Sequence, residues 1–399
     1  MEKKLKNLFI TNVLVFAFAT VILLAAFDFF ISIGEKSGLF SDFNEVCNFA
    51  LSKNPYKEYR TSYAPLVMIF IYPFAKMAHI TTDTNEILLK NTDYILSFIL
   101  FNAAVILSIL VITFFLVKKK TLFPYVFFAS ITGAPFVFCV IRGNTVMMSL
   151  VFILLFMLFK GSKYPALREI SLISLAIAGV LKIYPLFFGV YLLCKGKFKE
   201  SLRVALYFFI FLILPFFFFE GGLSNLSVYL DNVFRFAYME KREYGYANMS
   251  LFSLISKLLD FIGMNKISVI ASLIVSFVFL AMSVNLAIKT KSDVIRSLVI
   301  LYTMCLIPPV SYFYTLVFML PCLIEISNGA REGDEIYIAL LGIISFLPLI
   351  AFSIFMYHSI FLIVGLIYEI IVHNKEEKIT NGGNYESSNI RRRLRNKNQ

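Results

Sequence analysis

Residues 170–194 read ISLISLAIAGVLKIYPLFFGVYLLC, and the fold turns on how this run meets a bilayer. Both flanks, Lys160–Arg168 and Lys195–Arg203, are basic, and basic loops of membrane proteins gather on the cytoplasmic side. The two ends therefore belong on the same face. One crossing would separate them, and the run is too short for two crossings of about 20 residues each. The sequence predicts two short helices meeting at Lys182–Pro185, a broken hairpin of the kind tolerated where the backbone lines a cavity. Pro185 supplies the break, because it removes a backbone donor and disfavours helical geometry at Tyr184.

Composition agrees with a bilayer as the solvent. Of 399 residues, 59% are apolar and 16% charged, which places the chain among polytopic membrane proteins and excludes a soluble globular domain. The net charge of +12 sits in short clusters between apolar runs, so it reports orientation and not nucleic-acid binding. The five cysteines have no paired spacing, which excludes a disulfide framework or a zinc site. The basic start MEKKLKNLF leads into an apolar run to about Ile33, read as a retained first helix that begins in the cytoplasm.

The remaining loops sort by charge. Residues 34–93 form a first outer loop, in which Tyr63–Ile80, interrupted by Pro65, Pro73 and Lys76, is an interfacial helix on the outer leaflet. Spans follow at Tyr94–Val117, Leu122–Ile141 and Thr145–Phe159; after the hairpin come Val204–Phe219 and a second outer loop, residues 220–266, with a surface helix at Ser250–Ile262. Further spans begin at Ile267, Val294, Ser311, Ile336 and Ile354, and residues 374–399 form a disordered basic cytoplasmic tail. The fold class is thus an all-α polytopic membrane protein: one transmembrane domain over residues 1–373, about ten full spans plus the broken hairpin, and both termini cytoplasmic.

Chemistry concentrates on the outer side. Asp42, in the loop GLFSDFNEVCNFAL, reads equally as a helix cap or as a functional carboxylate, with Asp28 and Glu45 as competitors. Lys182, at the tip of the hairpin, needs a counter-charge or a wet cavity, and an anionic ligand would supply the first. Arg142 opens Arg142-Gly143-Asn144, where a tight turn delivers the free amides of the next helix, an arrangement suited to phosphate. No glycine-rich nucleotide loop and no Ser–His–Asp order is present, so a phosphate donor is expected through the lipid.

The ordered motifs DF, NPY, YAPL, RGN, LKIYPL, ANMSLFSLISKLL and PPVSYFY, from about Asp42 to Leu320, resemble glycosyltransferase family 87, polyprenol-phosphate-mannose-dependent transferases of the C-type fold. The resemblance implies that Asp42 is the catalytic aspartate and that Arg142, Asn144 and Lys182 bind the donor phosphate. It implies substrate contacts from Asn54 and Tyr56 of the NPY motif, Tyr184, Asn248 and Ser250, and Tyr312 and Tyr314. Met249 stands where the family usually has glutamine, and Tyr312 and Tyr314 replace the aromatic and the histidine of a SWDH-like motif. The expected activity is inverting hexose transfer, mannose by family default, from a polyprenyl-phosphate sugar to a glycolipid or glycan acceptor on the outer face of the cell (plasma) membrane. No metal or other cofactor is required by the sequence. The alternative is a flippase or transporter of lipid-linked sugars, in which the hairpin is a gate.

Overall fold

A computed structural model describes residues 2–11, 14, 40–79, 91–237, 248–329, 337–338, 341, 363–365, 367–368 and 371. Most of the expected first span, the last two helices and the basic tail lie outside the described residues, as does Asp28. The described residues are helical, with no strand beyond an isolated bridge between Asn248 and Tyr312.

A layer of short helices comes first among the described elements after the N-terminal segment. It contains α1 (Ser41–Leu51), the one-turn α2 (Pro55–Glu58) and α3 (Pro65–Met77). Prolines open α2 and α3 at positions where a missing N–H costs nothing. Helix α3, 13 residues long, is too short to cross a hydrocarbon core of about 30 Å. It packs on α1 and on the next helix, as an element lying along a surface would.

Among the described residues, the long helices α4 (Thr92–Leu116), α10 (Phe198–Ile213, continued by a 3₁₀ turn to Phe218) and α13 (Asn265–Lys289) are the three single helices long and apolar enough to span a membrane. Each is mostly unburied within the chain, the pattern of helices whose apolar surface meets lipid. Between them lie α5 (Phe123–Ile131), α6 (Ala134–Arg142), α7 (Val146–Phe159) and α8 (Pro165–Leu181). After α8 come α9 (Val190–Leu193), α11 (Asn225–Arg235), α12 (Leu251–Phe261), α14 (Asp293–Leu306) and α15 (Met319–Gly329).

The broken hairpin is present. Helix α8 stops at Leu181, Lys182 is extended, and a 3₁₀ turn over Tyr184–Gly189 leads into α9. Gly179 makes the fold-back feasible: a Cβ there would lie 2.4 Å from Leu186 Cδ2. Against the expectation of about ten full spans, the described residues hold three helices long and apolar enough to cross, or four if the bent pair α5–α6 counts as one, and two further features differ from the sequence reading. The expected straight span Leu122–Ile141 is two helices bent by 61°, because Pro135 offers no donor and Gly133 turns the chain between them. The polar stretch over residues 220–266 holds an additional helix, α11, where the sequence predicts loop.

Candidate active site

Helix α1 begins at Phe40, which is left-handed (φ 59°) and donates its N–H to Ile141 O at 3.1 Å. This single bond seats the start of α1 on the end of α6. No side chain caps α1; the carboxylate of Asp42, in its first turn, is turned across to the neighbouring helix end instead. Asp42 is buried, and three donors reach it. Arg142 Nε donates to Oδ2 at 2.9 Å, Arg142 Nη2 donates to Oδ1 at 2.7 Å, and Asn144 Nδ2 donates to Oδ2 at 2.7 Å.

The turn between α6 and α7 makes this possible. Gly143 is left-handed (φ 65°), and a Cβ on it would sit 2.6 Å from Phe43 Cβ. Only glycine lets α1 come this close. Asn144 uses its own carbonyl oxygen to accept from Val146 N at 2.9 Å, which opens α7 and fixes the side-chain amide toward Asp42. The Arg142 guanidinium also lies over the Phe138 ring, 5.1 Å from its centroid. A buried carboxylate held in this way is stable only with its partners; removing one member of such a pair typically costs about 3–5 kcal/mol.

Lys182 joins from the break in the hairpin. Its ammonium stands 4.6 Å from the centroid of the Tyr63 ring and within electrostatic reach of Asp42 and Glu45. Tyr63 was not foreseen as a site residue; its position in the YAPL motif, two residues before the proline that starts α3, is the one signal that could have found it. Burial pushes the Tyr63 hydroxyl well above its ordinary pKa, and the Asp42 and Glu45 carboxylates add to the effect. Tyr312 is pushed up to about 12 by burial, with Arg142 opposing and Asp42 adding. Both phenols therefore stay protonated at neutral pH and can donate. Tyr312 and Tyr314 face each other with ring centroids 5.6 Å apart, and Tyr314 and Tyr184 interact electrostatically.

The other expected substrate residues hold backbone. Asn54 caps α2 by accepting from Lys57 N and donates to Glu220 O at 2.9 Å. Tyr56 is fully buried against Phe216 and Tyr229 and donates to Tyr63 O. The NPY segment thus locks the stretch between α1 and α3 to the end of α10 and aims the chain toward Tyr63. Asn248 accepts from Ser250 N and Ser311 N and donates to Pro309 O at 2.7 Å, while Ser250 Oγ donates to the same carbonyl. Together they clamp the Pro308–Tyr312 segment and set where Tyr312 enters the site.

The geometry brings two cations, two carboxylates and several phenols to the junction of α1, α6 and the broken hairpin. The glycosyltransferase family 87 sequence model matches residues 61–309. The chain is a member of glycosyltransferase family 87. The matched region of this family 87 glycosyltransferase contains Arg142, Asn144, Lys182, Tyr184, Asn248 and Ser250, whereas Asp42, Asn54, Tyr56, Tyr312 and Tyr314 fall outside it. Asp42 is tied to the matched region by its bonds to Arg142 and Asn144. A search of curated proteins returns no match.

Proposed function

We propose that this glycosyltransferase moves a hexose, mannose by family default, from a polyprenyl-phosphate donor to a lipid-linked or glycan acceptor at the outer face of the cell membrane. The transfer inverts the anomeric centre, with Asp42 as base and Arg142, Asn144 and Lys182 around the donor phosphate. The carrying observation is how Asp42 and Arg142 are filled. Among the described residues, two bonds occupy Asp42 Oδ2 and one, from Arg142 Nη2, reaches Oδ1, so an acceptor direction on Oδ1 remains for an acceptor hydroxyl. Arg142 meets Asp42 through Nε and Nη2, two of its five N–H groups. The guanidinium can therefore hold the carboxylate and donate to a phosphate at the same time.

In the forward step the acceptor hydroxyl attacks the anomeric carbon, its proton passes to Asp42 Oδ1, and the sugar–phosphate bond breaks. The polyprenyl phosphate leaves with a second negative charge. Fixed positive charge from Arg142 and Lys182 stabilises that charge as it develops, and protonated Tyr63 and Tyr312 add donors nearby. Lys182 at a break in a helix pair puts an ammonium where a lipid headgroup can come from the side.

Membranes supplied with radiolabelled polyprenyl-phosphate sugars test the reading. Labelled product with a new glycosidic bond is expected, and Asp42→Asn is expected to lower transfer by about 100-fold or more with expression retained. Full activity in that variant sinks the assignment of the base. Translocation of the labelled lipid without a new bond would instead identify a transporter.

A further inference from the structure

Helix α11 packs Leu226, Val228 and Tyr229 against the core and yet leaves a second apolar stripe uncovered. Its inward face carries Asn225, Tyr229 and Asn232, with Asn225 and Asn232 at 0% and 7% exposure. Its outward stripe carries Leu230 and Phe234, more than half exposed, and Leu223 in the preceding turn. Leu230 and Phe234, four residues apart, share one side of α11. A helix facing water would present only its polar side; here Leu230 and Phe234 are exposed beside Ser227, Asp231 and Arg235 while Asn225 and Asn232 are buried.

The inward asparagines have defined work. Asn225 donates to Glu220 O at 2.9 Å, and Asn232 donates to both Tyr56 O and Thr61 O at 3.2 Å. The outward apolar stripe continues a surface already read as lipid-facing. It follows from α10 through Phe217 and Phe218, both largely exposed at the end of that long apolar helix. Beside the stripe, Asp231 and Arg235 form an exposed ion pair at 2.8 Å, which is the composition of the boundary between headgroups and acyl chains.

We infer that α11 lies in the outer leaflet of the bilayer, with Leu223, Leu230 and Phe234 in the acyl boundary and Arg235 at the level of the lipid phosphates. The occupant of this face is phospholipid. Through Asn232, the helix fixes the height of the Tyr56–Thr61 backbone over the membrane. That backbone leads directly to Tyr63 under Lys182, so the helix sets how deep the site stands relative to a lipid-borne phosphate.

The chain contains no tryptophan, so a single introduced one reports its own surroundings. Leu230→Trp and Phe234→Trp, placed at already exposed positions, are reconstituted in phosphatidylcholine vesicles and compared with Phe209→Trp on the exposed face of α10. Lipids brominated near the headgroup and aqueous iodide serve as the two quenchers, with the melting temperature of each variant as a folding control. Quenching by bromolipid within about twofold of the Phe209→Trp value, and insensitivity to iodide, are expected. Quenching by iodide without bromolipid quenching overturns the inference and puts the face in water. Protection from both, together with a cross-linked dimer, also overturns it and makes a second copy the occupant. None of these readings depends on transferase activity.

Discussion

Gly143→Ala is a demanding test of the site's geometry, because its effect follows from two distances and one angle. Gly143 has φ 65°, and an added Cβ would lie 2.6 Å from Phe43 Cβ and 3.0 Å from Phe98 Cε2. The left-handed backbone costs an alanine roughly 1–2 kcal/mol, and relieving an overpacked contact costs about 1–3 kcal/mol more. Phe43 Cβ is next to the backbone of α1, so the helix itself must retreat, by about 0.8 Å to regain ordinary contact, and Asp42 moves with it. The expected destabilisation of about 2–5 kcal/mol translates, at roughly 2.1 cal/mol/K per residue, into a fall in melting temperature of only about 2–6 °C for a chain of this length. Activity is the more sensitive readout: a shift approaching 1 Å between a base and its cationic partner can cost about 100-fold. Gly161→Ala, with ordinary φ and no atom within 4 Å, is the matched control and is expected to be silent in both assays. Melting in nanodiscs and initial rates of sugar transfer measure the pair. A Gly143→Ala enzyme with wild-type melting and wild-type rate would refute the claim that close seating of α1 on α6 builds the site.

Further expectations are more direct. Asn248→Ala leaves the Ser311 and Ser250 amides without their acceptor, a loss of about 1–3 kcal/mol, and with Tyr312 unclamped the KM for a substrate should rise more than expression falls; unchanged KM would remove Asn248 from the site's support. With Tyr312 and Tyr229 both pushed up to about 12 by burial, the unfolded chain ionises these phenols first. Their contribution to stability is therefore intact below about pH 10 and falls as pH rises through 10 to 12; Tyr229→Phe should flatten that alkaline slope, as followed by thermal melts across pH. Cysteines introduced for Lys53, whose side chain is 81% exposed, and for Lys163 test orientation: an impermeant maleimide added outside should label the first and spare the second, and the reverse pattern would invert the proposed topology.

How much of this was legible in the sequence depends on the kind of signal. The broken hairpin was legible because its cause is local: Pro185 within an apolar run between two basic flanks. The start of α1 and the presence of α3 and α12 were legible for similar reasons, through helical spacing and prolines. The bend at Gly133 was not, since Thr132-Gly133-Ala134-Pro135 interrupts an apolar stretch without changing its hydropathy. Arg142, Asn144 and Asp42 were each recognisable as chemistry-bearing, yet their direct bonding was hidden, because Asp42 and Arg142 are 100 positions apart and nothing periodic connects them. The NPY and NMS segments were read as substrate contacts, and the structure gives their polar atoms to the backbone; sequence cannot distinguish a side chain that touches a ligand from one that holds the loop that does. Helix α11 escaped because Asn225 and Asn232 are buried while Leu230 and Phe234 stay exposed, so its buried side does not coincide with its apolar stripe.

The hundred-residue separation of Asp42 from Arg142 also bears on how the protein is made. As the chain emerges, the carboxylate is synthesised well before α4, α5 and α6, and it meets its guanidinium only when those helices have been inserted and α6 has ended in the Gly143 turn. Doubling the length of such a closure costs only about 0.6 kcal/mol, so distance itself is no obstacle; the order of insertion is. Ribosome-arrested chains that stop short of Arg142 should leave α1 unlatched and open to protease, and chains extended past Asn144 should protect it. The ion pair at the centre of the site then doubles as a mark that the first third of the membrane domain has been assembled correctly.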